Sequence, residues 1–108
     1  MKPFSAFFGD AEYQFMLTFA LAGELEQKCG AGIGTICARV FAKHFAQSDI
    51  TETIRLALIG GGMAPKRAAE LVALYATDRP LSESYPLVAK ILERRWFGNP
   101  HETTNGQA

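Results

Sequence analysis

Three consecutive glycines, Gly60-Gly61-Gly62, with Pro65 close behind, cut this 108-residue chain into segments that no long helix can cross. In a helix interior glycine costs about 1 kcal/mol relative to alanine and proline about 3 kcal/mol, so a helix that reaches residue 60 ends there. Weaker breaks stand at Gly30 to Gly34, at Asp78-Arg79-Pro80 and at Gly98 with Pro100. Between them apolar residues recur three or four positions apart, which gathers them on one face of an α-helix. The chain therefore reads as a series of short helices that must bury their stripes against one another.

The N-terminal segment has a different period. Gly9-Asp10 is a turn dipeptide between two aromatic-rich runs, Phe4 to Phe8 and Tyr13 to Leu17. Tyr13, Phe15 and Leu17 alternate with Glu12, Gln14 and Met16, the pattern of a half-buried strand. A lone hairpin is marginal in water, so its aromatic face is expected to pack on the helices.

Thr18 offers an N-cap to a first helix from Phe19 to Cys29, with Leu21, Leu25 and Cys29 on one face and Gly30 as its stop. A second helix is expected from about Gly34 to Ala46, with Ile33, Ile36, Cys37, Val40, Phe41 and His44 or Phe45 inward and Arg39 and Lys43 outward. Asp49 and Glu52 have capping-box spacing for a third helix, whose stripe is Ile50, Ile54, Ala57 and Leu58. Pro65 suits the first turn of a fourth, burying Ala68, Leu71, Val72 and Tyr75. The last helix starts between Ser82 and Pro86, with Leu81, Tyr85, Val88, Leu92 and Trp96 at helical spacing. The fold class is mainly α: a compact five-helix domain with a short N-terminal β-hairpin over residues 1–98, followed by a flexible polar tail, 99–108.

Composition narrows the function. With 48% hydrophobic and 20% charged residues the chain has enough apolar side chain for a core. Eleven basic residues balance eleven acidic ones, which argues against nucleic acid as partner, because phosphate neutralisation supplies most of that affinity. The two cysteines, Cys29 and Cys37, read as small buried hydrophobes in a reducing compartment. No stretch has the length of a membrane span, and the N-terminus lacks the layout of a secretory signal, so a cytoplasmic location is expected.

Sites of chemistry are scarce. Gly30-Ala31-Gly32-Ile33-Gly34-Thr35 is preceded by a helix rather than a strand, and it lacks the lysine of a phosphate-binding loop. Cys29, Cys37, His44 and His101 are too few and too scattered for a zinc site, and no third group orients a Cys–His pair. No cofactor, metal or enzymatic activity is expected. Ile50 to Ala76, with Lys66-Arg67 opening its second helix, has the outline of a helix-turn-helix, but Ala68-Ala69-Glu70-Leu71-Val72 offers few side chains that read bases. Lys66 and Glu70 have the spacing of a surface ion pair.

The remaining reading is a protein-binding domain that offers an apolar groove to an amphipathic helix. Met16 and Met63 are adaptable contacts for it, and Gly60, Gly61 and Gly62 allow the third and fourth helices to reorient. These five residues are the candidate partner-binding set.

In order and spacing the segments resemble the phage tail assembly chaperone family typified by gene transfer agents and related prophages. The resemblance is carried by Leu17-Thr18-Phe19-Ala20-Leu21-Ala22-Gly23-Glu24-Leu25-Glu26, by Asp49-Ile50 through Ile54 to Leu56-Ala57-Leu58-Ile59-Gly60-Gly61-Gly62, and by Ala68-Ala69-Glu70-Leu71. It spans about Tyr13 to Phe97. The Phe4-to-Phe8 strand and the terminal Trp96-Phe97 depart from the family pattern. The resemblance implies a non-enzymatic protein that shields the tape-measure protein until tail-tube subunits polymerise around it. The tape-measure protein or other tail proteins, and a homo-oligomer, are the implied partners, and a structural tail-tube role is the nearest rival.

Overall fold

A computed structural model describes residues 2–98, so the expected tail, 99–108, lies outside the described residues. Strands β1 (Phe4–Phe8) and β2 (Ala11–Phe15) lead into helices α1 (Phe19–Cys29), α2 (Ile33–Phe41), α3 (Gln47–Gly60), α4 (Pro65–Val72) and α5 (Leu81–Phe97). This is the mainly helical, five-helix architecture with an N-terminal hairpin that the sequence implies.

The hairpin closes through Gly9-Asp10, with Phe4 opposite Phe15 and Phe8 opposite Ala11. Its inner face buries Phe4, Phe8 and Phe15, followed by Leu17. Phe15 stands 5.8 Å from Phe4 and 6.5 Å from Phe8, ring centre to ring centre, and Phe8 meets Tyr75 edge-on at 6.1 Å. The aromatic face thus packs on the helices, as a hairpin of this size requires.

Helix α1 follows the expected bounds. Thr18 Oγ1 accepts a hydrogen bond from Leu21 N at 3.2 Å, and Gly30 ends the helix at φ +65°. The second helix is shorter than expected and stops at Phe41 rather than near Ala46. Lys43 adopts φ +63°, and His44 N donates to Arg39 O at 2.7 Å, which turns the chain out of the helix. Phe45 gains a stacking partner in Tyr85 at 5.7 Å, while Phe41 and His44 are exposed. Tertiary packing has overridden the local period here.

Helix α3 begins three residues earlier than the capping-box spacing implies. Asp49 is its third residue, not its cap, and Oδ2 accepts from Ala46 N at 2.9 Å. Glu52 turns instead to Arg55 at 2.7 Å. Ile50, Thr53, Ile54, Leu56, Ala57 and Leu58 are all buried, because α3 runs through the middle of the molecule with α1, α4, α5 and β2 around it.

After α4, Ala73–Thr77 forms a π-helical turn, in which Thr77 Oγ1 donates to Val72 O at 3.2 Å. Helix α5 begins at Leu81, one residue ahead of the expected range, and carries Pro86 within it. Its buried face is Ser84, Val88, Ile91 and Leu92. Leu81 and Trp96, both expected on the stripe, are instead 45% and 59% exposed.

Candidate protein-binding surface

The five candidate residues lie at one place, where β2 crosses the C-terminal end of α3. Met16 N donates to Ala57 O at 3.0 Å, and Met63 N donates to Leu58 O at 3.0 Å. A β-carbon at Gly60 would overlap the Met16 carbonyl, and one at Gly61 the Gln14 carbonyl. Glycine is required here by close backbone approach. Gly62 is exposed, at φ +112°, and completes the turn into α4. Met16 and Met63 are half-buried, and Met63 packs on the core.

A second surface was not apparent from the spacing. Arg95 Nη1 donates to Leu17 O at 3.2 Å, which sets the last turn of α5 beside the first turn of α1. Phe19 is 86% exposed, and Phe97, like Trp96, is more than half exposed. Between these turns a shallow groove of about 280 Å³ is lined by Phe19, Ala22, Gly23 and Ile33, with Glu26 and Arg95 at its polar margin. The available signal was the Trp96-Phe97 pair, since adjacent residues at a helix end cannot share one buried stripe.

The charged groups of the interior serve the fold. Asp49 is fully buried, and Arg39 holds it with two parallel hydrogen bonds, Nε to Oδ2 at 2.7 Å and Nη2 to Oδ1 at 2.8 Å. Arg39 is therefore directed at a buried carboxylate rather than outward. Burial alone would raise the Asp49 pKa. The hydrogen bonds from Arg39 and Ala46 and the Arg39 charge outweigh it, and the carboxyl sits below its usual range. Cys29 Sγ lies 3.6 Å from Ser48 O, and burial, reinforced by Asp49, pushes its thiol up to about 11. Burial also raises the Cys37 thiol.

At the Gly30–Gly34 connection, the Glu26 carboxylate accepts from Ile33 N at 2.8 Å. The position a phosphate would take at the start of α2 is held by the chain's own carboxylate. Arg67, rather than Lys66, approaches Glu70, at 4.0 Å. Among the described residues no cluster of His, Cys, Asp and Glu has the geometry of a metal site, and no helix is long and apolar enough to cross a membrane.

The molecule is a small mainly helical domain, roofed by a hairpin, with an exposed aromatic end. Residues 3–98 match the model of the family described as phage tail tube protein, GTA-gp10, and the chain belongs to that family. No curated protein and no solved structure matches it. The expected phage-tail relationship of the gene-transfer-agent type thus holds at the level of the family, and extends N-terminally over the Phe4-to-Phe8 strand.

Proposed function

We propose that this chain is a tail-assembly chaperone that holds an apolar helical segment of the tape-measure protein before the tube forms around it, in the cytoplasm of the host cell. The observation that carries this reading is the exposure of Phe19 on the first turn of α1 and of Trp96 and Phe97 on the last turn of α5, two turns joined by the Arg95–Leu17 hydrogen bond. Phe19 on the rim of a shallow apolar groove, with further exposed aromatics on the adjoining helix end, is what an amphipathic helix needs for its anchors. Met16 and Met63, half-buried at the strand–helix junction, supply a deformable neighbouring contact.

The test is co-expression with tape-measure segments of the same phage or gene transfer agent. The chaperone reading expects a soluble complex, lost in a Phe19→Ser/Trp96→Ser double variant that still folds. Aggregation of every segment regardless of the wild-type chain counts against it. The family description favours a second reading, a tail-tube component. That role expects rings or tubes of the purified chain in electron micrographs, with no requirement for the tape-measure segment.

A further inference from the structure

The two edges of the hairpin are not equivalent. Met16 N donates to Ala57 O, and the carbonyls of Gln14 and Met16 face Gly61 and Gly60. Along a strand the N–H and C=O of alternate residues point to the same side, so Glu12, Gln14 and Met16 are directed at α3. Ala11, Tyr13 and Phe15 then bond across to Phe8, Ala6 and Phe4, their partners in the register. This leaves the N–H and C=O of Ser5 and Phe7 directed away from β2, and no backbone hydrogen bond among the described residues takes them up.

Natural edge strands are usually blunted by charge, proline or a bulge. The segment Phe4-Ser5-Ala6-Phe7-Phe8 has none of these, and Phe7 is 66% exposed on its outer face. We infer that a second copy of this chain pairs with β1 along this edge, antiparallel, with Ser5 of each copy opposite Phe7 of the other. The pairing is isologous and closes on itself. All the outward N–H and C=O groups of Ser5 and Phe7 in both copies are then bonded, and the two hairpins become one four-stranded sheet.

The Phe7 side chains fit that register. Both Phe7 rings lie diagonally across the new seam on the same face, within aromatic reach. Antiparallel pairing also brings the Phe4 end of one copy to the turn end of the other. At the Phe4 end Lys90 and Arg94 stand 5.1 and 4.8 Å from the Phe4 ring, while the turn end carries charges of both signs, Asp10 and Glu12 with Arg79 paired to Glu83, so no block of like charge opposes the pairing. The inference stands apart from the tape-measure reading and rests on a different face of the molecule.

Light scattering and sedimentation of the purified full chain, at up to about 1 mM where small interfaces associate, give the first readout. The expected mass is twice the 11.8 kDa of one chain. Phe7→Pro removes both the outward N–H and the exposed ring, leaves the bonds within the hairpin intact, and should halve the mass; Phe7→Lys should do the same without touching the backbone, and decides the matter should the proline variant fail to fold. The stated register also places Ala6 against Ala6 across the two-fold axis, as a closely spaced pair. Ala6→Cys should therefore cross-link through position 6 under mild oxidation, as identified by peptide mass. A wild-type chain that stays monomeric, a dimer unchanged in both Phe7 variants, assemblies larger than a dimer, or cross-linking that bypasses position 6 would each overturn the proposal.

Discussion

Arg39 and Asp49, ten residues apart on α2 and α3, form a two-pronged ion pair in which the carboxylate is fully buried and the guanidinium side chain keeps 27% of its surface in water. Arg39 Nη2 also reaches Cys29 O at 3.4 Å, so the pair ties the end of α1 to α2 and to the start of α3. The two partners are unequally exposed, and their removal should not be equally costly. Asp49→Ala leaves an arginine that can turn to solvent, and should destabilise the fold by about 2–3 kcal/mol, below or at the low end of the range for a broken buried pair. Arg39→Ala strands a buried charge and should cost more. Urea unfolding of the two variants checks the order.

The same carboxyl gives the stability a defined acid dependence. Its folded pKa is depressed by the Arg39 and Ala46 hydrogen bonds against the opposing effect of burial. The unfolded chain therefore binds a proton more readily than the folded one, and stability rises with pH in that window. The contribution is complete above the unfolded value of about 3.9 and is lost as the pH falls from there through the folded pKa. Unfolding midpoints measured from about pH 5 down to pH 3 should decline in the wild type and decline less steeply in Asp49→Asn.

Gly60 and Gly61 should tolerate no side chain. A β-carbon at either meets a backbone carbonyl of β2, which cannot swing aside as a side chain can. Gly60→Ala and Gly61→Ala should each lower stability by about 1–3 kcal/mol or more, the cost of overpacking. Gly23 is the contrast: it is a mid-helix glycine of α1 with open space around its β position. Gly23→Ala should stabilise by about 0.5–1 kcal/mol, since alanine loses less backbone entropy in a helix. Thermal unfolding of the three variants gives opposite signs.

Helix order was legible because each break has a local cause. Gly30, the Gly60–Gly62 run and Pro80 end or separate helices through backbone restrictions that need no knowledge of the rest of the fold. The α2–α3 connection was not legible in this way. Residues 42–46 keep a helical apolar spacing, yet Phe45 stacks on Tyr85 and Asp49 is drawn to Arg39, contacts between segments that sequence spacing does not register. The exposure of Trp96 has the same origin. Its spacing from Leu92 matches a buried stripe, but among the described residues no element covers the last turn of α5 on that side. Met16, Gly60, Gly61, Gly62 and Met63 were picked out as adaptable contacts and a pivot between helices, whereas the close approach of Gly60 and Gly61 to β2 depends on how the strand crosses α3, which spacing does not register. The aromatic end depends on how α1 and α5 meet.

Tyr85 shows how the α2 end is held in place of the helix that spacing suggests. Its hydroxyl donates to Val40 O at 2.8 Å, across forty-five residues of chain, and takes up one of the last carbonyls of α2. Phe45 stacks on one part of the ring while Lys43 Nζ stands 5.5 Å from its centre, so the whole 42–46 turn is arranged around this side chain. Tyr85→Phe keeps the stacking and removes only the hydrogen bond, which should cost about 1 kcal/mol. Tyr85→Ala removes both and should cost about 3 kcal/mol or more, the range for truncating a packed aromatic. Amide exchange separates the two effects. In Tyr85→Phe only the amides near Val40 and Lys43 should lose protection, whereas Tyr85→Ala should release the turn as far as Ala46. Exchange in Tyr85→Phe equal to that of the wild type would mean that the ring, not the hydroxyl, fixes the end of α2.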